Sequence, residues 1–193
     1  MKSNNKGFTL IELLVSISLL SLIIISIFSF FLSNLNNFDK TENDIILHQN
    51  ARSSIEFITD KVMESKGISK VWDDDRNDVS YNYQNGEEIF ISAFLLDTCE
   101  YKSDNHIYNK SIFTINKLKD EDIKKIKFGW VNDKYINTYY HYVVQANMEV
   151  SFYIDKIKLQ KLNSNSINIV LYFKKDDYVI EPVETNIYFR NSY

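Results

Sequence analysis

Proline, glycine and cysteine are scarce in this chain: one proline (Pro182), four glycines and one cysteine (Cys99) in 193 residues. A lone cysteine excludes an internal disulfide, so an exported domain built from this sequence must stand on its hydrophobic core. No histidine or basic cluster adjoins Cys99 in sequence, and a buried core thiol is the expectation. Few glycines and prolines beside 15% aromatic residues exclude a disordered or collagen-like chain. Also missing are a phosphate-binding loop, a Ser, His and Asp set around a glycine elbow, and paired metal ligands. His48, His106 and His141 lie far apart without metal-type spacing. The sequence therefore points to no enzyme and to no cofactor.

What the chain does have is one long hydrophobic run. Phe8 to Leu32 is 25 residues with a single charge, Glu12. As a helix it would extend about 37 Å, beyond the roughly 30 Å of a bilayer core. Lys2 and Lys6 precede it with no acidic residue between them, which keeps the short leader in the cytoplasm and sends the remainder outward. A cleaved secretory signal is excluded by the length of the run and by the absence of an A-x-A-like exit before "FFLSNLNNF". A plain anchor gives no reason for a carboxylate at position 12, where an ionisable group is costly and calls for a partner.

The stretch "KGFTLIELLVSISLL" resembles the processing site of type IV prepilins: a short basic leader ending in glycine, a phenylalanine that starts the mature chain, and a glutamate five residues into it. The resemblance implies cleavage after Gly7 by a prepilin peptidase and N-methylation of Phe8. The new amine would then pair with Glu12 of a neighbouring subunit as both leave lipid for a helix-packed interior. "HQNARSSIEFITDKVMESKG" is similar to the second half of the helix in PilW-like minor pilins and J-type minor pseudopilins, with Arg52, Glu56, Phe57 and Asp60 on the "ARxxxEFxxxD" pattern. "ETNIYFRNSY" resembles their closing strand, with Arg190 and Asn191 at its end. The chain departs from major type IVa pilins in having no proline in its apolar helix, where Ser29 stands instead. This departure favours a minor subunit.

The expected fold is α+β, a type IV pilin fold with a long N-terminal helix packed on an antiparallel β-sheet head. Its parts are a leader over 1–7, a membrane-spanning or filament-core half-helix over 8–33, an amphipathic second half over 34–67, and a β-rich extracellular head over 68–193. Leu47, Ala51, Ile55, Ile58 and Val62 mark one face of the second half-helix. The helix is predicted to loosen at Asn34 to Asn37 and to stop at Gly67 after Lys66. Downstream, "VSYNYQ", Asn85-Gly86 and "EEIFISAFLL" read as a hairpin. "SIFTINKL", "IKKIKFGWV", "MEVSFYIDKIKLQ", "INIVLYFKK" and "TNIYFRN" read as further strands, with a bulge at Asp155 and Lys156 and a turn at "NSNS".

Other signals are thinner. "WDDDRND" places Asp73, Asp75 and Asn77 at the first spacings of a calcium loop, but Asp78 and Gln84 stand where glycine and glutamate are required. A solvated acidic loop is the expected reading, and so is a solvated turn at "KLKDEDIKKIK". Tyr135, Tyr139, Tyr140 and Tyr142 crowd "YINTYYHYVV" and read as strand aromatics. Loss of Lys2 and Lys6 from 22 basic residues leaves 20 against 26 acidic ones, a balance of −6 before the new amine is counted. That balance argues against direct nucleic-acid binding, which rests on phosphate neutralisation.

Three functions follow from the sequence. The first is a minor type IV pilin that enters a pilus at low copy, in assembly initiation or at the tip. Its partners would be the prepilin peptidase, the major pilin, other minor pilins and the membrane assembly platform. The second is a minor pseudopilin of a competence or type II secretion machine. The third is a membrane-anchored surface binding or adhesion protein. In each the chain is single-pass in the cytoplasmic membrane with its head outside, and in the first two it then joins an extracellular filament.

Overall fold

The computed structural model describes residues 9–103, 106–117, 123–131 and 139–190. One helix, α1 (Leu10–Glu64), opens the chain. No glycine or proline interrupts its 55 residues. Its serines fold their hydroxyls back on the backbone, Ser16 donating to the Glu12 carbonyl at 2.7 Å and Ser26 to that of Leu22 at 2.9 Å. Such bonds satisfy polar side chains where the surroundings offer no partner. The expected loosening at Asn34 to Asn37 is absent. The Asn34 amide donates to the Phe30 carbonyl at 2.8 Å and Thr41 Oγ1 to that of Asn37 at 2.9 Å, so the polar residues bond along the helix instead of competing with it.

The chain divides into two compact units, Met1–Glu42 and Asn43–Tyr193. In the first, every large apolar side chain described is exposed, from Leu10 at 79% to Leu35 at 46%. The second holds the core. There Leu47, Ala51, Ile58 and Val62 of α1 are buried, with Ile55 packed beside them, as the spacing predicts. The helix ends at Glu64, and strand β1 (Ser65–Trp72) follows with no loop. Gly67 is thus not the helix stop; it lies inside β1 beside a register shift against the next strand.

The remaining elements are α2 (Ser80–Gln84), β2 (Ile89–Ile91), β3 (Ala93–Ser103), β4 (His106–Lys117), β5 (Lys124–Val131), α3 (Tyr139–Gln145), β6 (Met148–Phe152), β7 (Ile154–Asn163), β8 (Ser166–Lys175), β9 (Tyr178–Val179) and β10 (Val183–Tyr188). They form two antiparallel sheets where one was expected: β1-β3-β4-β5-β6 and β10-β8-β7-β2, with β9 on β8. Two runs that read as continuous strands cross between the sheets. "EEIFISAFLL" breaks at Ser92, whose N–H donates to the Trp72 carbonyl at 2.8 Å. "MEVSFYIDKIKLQ" breaks at Tyr153, which takes a left-handed φ of 64°. The irregularity expected at Asp155 and Lys156 is present as a register shift between Ile154 and Lys156. β7 and β8 pair through the predicted turn, with Asn163 opposite Ser166.

"VSYNYQ" is not a strand. The segment forms the short helix α2, and just ahead of it Asp78 Oδ1 accepts from the Ser80 N–H at 3.0 Å. Tyr81 and Tyr83, two residues apart and so on one face of the expected strand, are split by the helix, 78% and 2% exposed. Gly86 supplies the positive φ of 80° that the turn was expected to need, whereas Asn85 remains right-handed at −77°. Tyr139, Tyr140 and Tyr142 also lie in a helix, α3, on the outer face of the first sheet. A second small core results, made by Trp72, Ala93, Leu95, Ile112, Val131, Tyr142 and Ala146, where a single core was expected. Gly129 of β5 allows this approach, because a Cβ there would lie 2.0 Å from the Gln145 carbonyl oxygen.

Candidate functional site

The site built at the start of α1 is local and reciprocal. Thr9 stands at the N-cap, its carbonyl accepting the Leu13 N–H at 3.2 Å. Glu12 Oε2 accepts from the Thr9 N–H at 2.9 Å and from Thr9 Oγ1 at 2.8 Å, while the Glu12 N–H donates to Thr9 Oγ1 at 3.4 Å. This is a capping box, in which a threonine and the glutamate three residues on satisfy each other's end groups. Its T-x-x-E signature was readable in "FTLIE", yet the sequence reading passed over Thr9. The carboxylate is therefore hydrogen-bonded within its own chain, among exposed Leu10, Ile11, Leu13 and Leu14. Gly7 and Phe8, the expected cleavage and methylation residues, lie outside the described residues.

The "ARxxxEFxxxD" residues separate into two roles. Arg52 Nε bonds Glu56 Oε1 at 2.9 Å on the solvent side, and the carboxylate raises the Arg52 pKa above its ordinary value. With both side chains largely exposed, such a pair adds little stability. Phe57 points the other way and meets Phe113 and Phe128 edge-on, with ring centroids 6.0 and 5.4 Å apart. Asp60 is exposed. At the far end, the Arg190 N–H donates to the Met63 carbonyl at 3.1 Å, tying the closing segment to the last turn of α1. Asn191 lies outside the described residues.

The remaining candidates do not assemble. Asp73 spends both carboxylate oxygens on Asn77, accepting from its N–H at 2.8 Å and from Nδ2 at 3.2 Å, and Asp75 is exposed. His48 is exposed and His141 half-buried on α3. Among the described residues no three His, Cys, Asp or Glu side chains are grouped to hold a metal ion. Cys99 is exposed, not the core thiol expected, because it lies past the Ser65 and Thr98 pair where β1 stops covering β3. Tyr142 is buried against Trp72, whereas Tyr140 is 63% exposed with the Arg76 guanidinium over its ring at 5.2 Å. Tyr135 and most of the "KLKDED" turn lie outside the described residues.

Among the described residues one helix, α1, is long and apolar enough to cross a membrane, by length and composition. Residues 2–28 match the family model of the prokaryotic N-terminal methylation motif, a span that takes in Gly7, Phe8 and Glu12. No curated protein and no solved structure matches the chain. The chain thus carries a prokaryotic N-terminal methylation motif at the head of a long apolar helix, followed by antiparallel sheets, an order of elements that agrees with the type IV pilin fold.

Proposed function

We propose that this protein is a minor type IV pilin, incorporated at low copy in assembly initiation or at the pilus tip. A prepilin peptidase cuts after Gly7 and Phe8 is N-methylated. Residues 8–33 hold the protein in the cytoplasmic membrane, 34–64 continue the helix as its amphipathic half, and 65–193 form the head outside. During assembly the apolar half-helix leaves the bilayer for the filament core, where the Phe8 amine of one subunit meets Glu12 of the next.

The observation that carries this reading is a stretch of α1 whose large apolar side chains are all exposed around one carboxylate. Such a surface requires lipid or packed helices, and a charge within it requires a partner in either setting. The Thr9 capping box supports the reading further, because it gives the carboxylate hydrogen bonds while the subunit is still a monomer in lipid. The absence of proline and the unbroken helix through Ser29 favour a minor over a principal subunit. A minor pseudopilin of a competence or secretion machine is the second reading, since the Arg52 to Asp60 pattern is common to both. The filament that the protein joins distinguishes the two.

The test is Glu12→Ala beside Glu12→Gln in cells making filaments. Both variants are expected to lose their leader nearly as well as the parent, while their share of sheared filaments falls severalfold. Undiminished incorporation of Glu12→Ala would sink the pairing account.

A further inference from the structure

Three short hydroxyl side chains neighbour one another on the inner face of the first sheet, just past the end of α1. Ser65 of β1 stands directly opposite Thr98 of β3, and Leu96, two residues before Thr98, stands opposite Ser111 of β4. Residues two apart on a strand, and residues directly opposite, share a face of the sheet. Leu96 and Phe113 on this face belong to the main core, whereas Leu95 and Ile112 belong to the smaller one on the other side. Ser65 and Ser111 are 0% exposed and Thr98 8%. Among large apolar neighbours, three small side chains together leave space that their own atoms do not fill.

The hydrogen bonds of the three are incomplete. Ser65 Oγ donates to the Val62 carbonyl in the last turn of α1 at 2.7 Å, and its lone pairs can still accept. Among the described residues neither Thr98 Oγ1 nor Ser111 Oγ has a hydrogen-bond partner, and no other buried side-chain atom lacks one. The register makes these two orphans diagonal neighbours, so one missing partner accounts for both. Such neighbours lie about 7–8 Å apart, somewhat less between Cβ atoms. That is too far for one hydroxyl to reach the other, and it suits a single atom between them, since two O–H···O bonds end to end measure about 5.5 Å.

We infer that an ordered water molecule is bound here by Thr98, Ser111 and Ser65. It accepts the hydroxyl protons of Thr98 and Ser111 and donates one of its own to Ser65 Oγ, whose proton is committed to Val62. Three hydrogen bonds are typical of a buried water. Three neutral hydroxyls supply no charge to hold an ion, and an apolar guest would leave them unsatisfied. Because β1 follows α1 without a loop, the water links the end of the helix, through Ser65, to β3 and β4. The inference concerns the second unit alone and stands whether or not the protein enters a pilus.

The test is a crystal structure of the full chain at a resolution that shows ordered solvent, together with thermal unfolding of Thr98→Val and Ser111→Ala, singly and combined. A solvent peak is expected within about 3.2 Å of both Thr98 Oγ1 and Ser111 Oγ. In detergent each single variant should melt about 2–4 °C below the parent, because it strips the water of a partner. The double variant should lose less than the sum, because neither hydroxyl is then left to satisfy. If no water is bound, each substitution removes an unsatisfied polar group, so Tm holds or rises and the changes add. That result, or a structure in which the two oxygens bond protein groups with no solvent peak between them, would overturn the inference.

Discussion

Asn50 of α1 accepts, on its side-chain Oδ1, the backbone N–H of Phe152 at 3.1 Å. Its amide nitrogen donates to the Ile46 carbonyl at 2.8 Å, and Ser151 Oγ reaches the Asn50 carbonyl at 3.5 Å. β6 is an edge of its sheet, and an edge strand left open is a template for unwanted pairing. One helix side chain thus helps close that edge. Asn50→Ala is expected to cost about 1–2 kcal/mol by leaving the Phe152 N–H without its acceptor. Hydrogen exchange at the Phe152 amide should quicken, while Asn50→Asp, which keeps an acceptor, should retain much of its protection.

Gly129 is the position where a single methyl group should do most damage. The atoms a Cβ would meet are backbone: the carbonyl oxygen and carbon of Gln145 at 2.0 and 2.6 Å, and Ala146 Cα at 2.7 Å. No side-chain rotation relieves that clash, so α3 must move away from β5. Gly129→Ala is expected to destabilise the head by roughly 1–3 kcal/mol, as overpacking does, and to expose Trp72. Denaturant unfolding followed by tryptophan fluorescence checks both effects.

The alkaline limb of stability should report on Tyr83. Burial holds this phenol above the usual tyrosine range. Below about pH 10 the folded and unfolded chains both keep the proton. Above it the unfolded chain releases the proton first, so the folded state loses stability as pH rises toward the higher folded value. Tyr83→Phe should flatten that loss. Its Tm is expected to fall less than the parent's as pH rises past about 10, and parallel curves would show that this tyrosine contributes nothing.

The sequence was most legible where one physical signal had no competitor. A long apolar run without glycine or proline could only be helix, and the four- and three-residue steps from Leu47 to Val62 marked the face that is buried. Strand positions were also readable from period-two alternation. What alternation does not carry is which sheet a strand joins. Ser92 and Tyr153 end one strand and begin the next within a continuous apolar pattern, so the second sheet stayed hidden. "VSYNYQ" and "YYHYVV" failed for a related reason. Tyrosine has a polar end and an apolar ring, and its presence says little about which side of the chain is covered. α3 formed because Tyr142 and Ala146, four residues apart, found the uncovered outer face of the first sheet. At the N-terminus Glu12 stood out as a misplaced charge, while its partner Thr9 went unnoticed because a threonine in an apolar helix raises no question.

The most direct test of the account is mass spectrometry of sheared extracellular filaments and matching membranes, reading the N-terminal peptide and quantifying this chain against the main filament subunit. The account predicts a peptide that begins at Phe8, carries one added methyl group on its amine, and occurs in the filaments at low stoichiometry. A chain that stays in the membrane with residues 1–7 still attached would contradict it, and would make the helix a simple anchor.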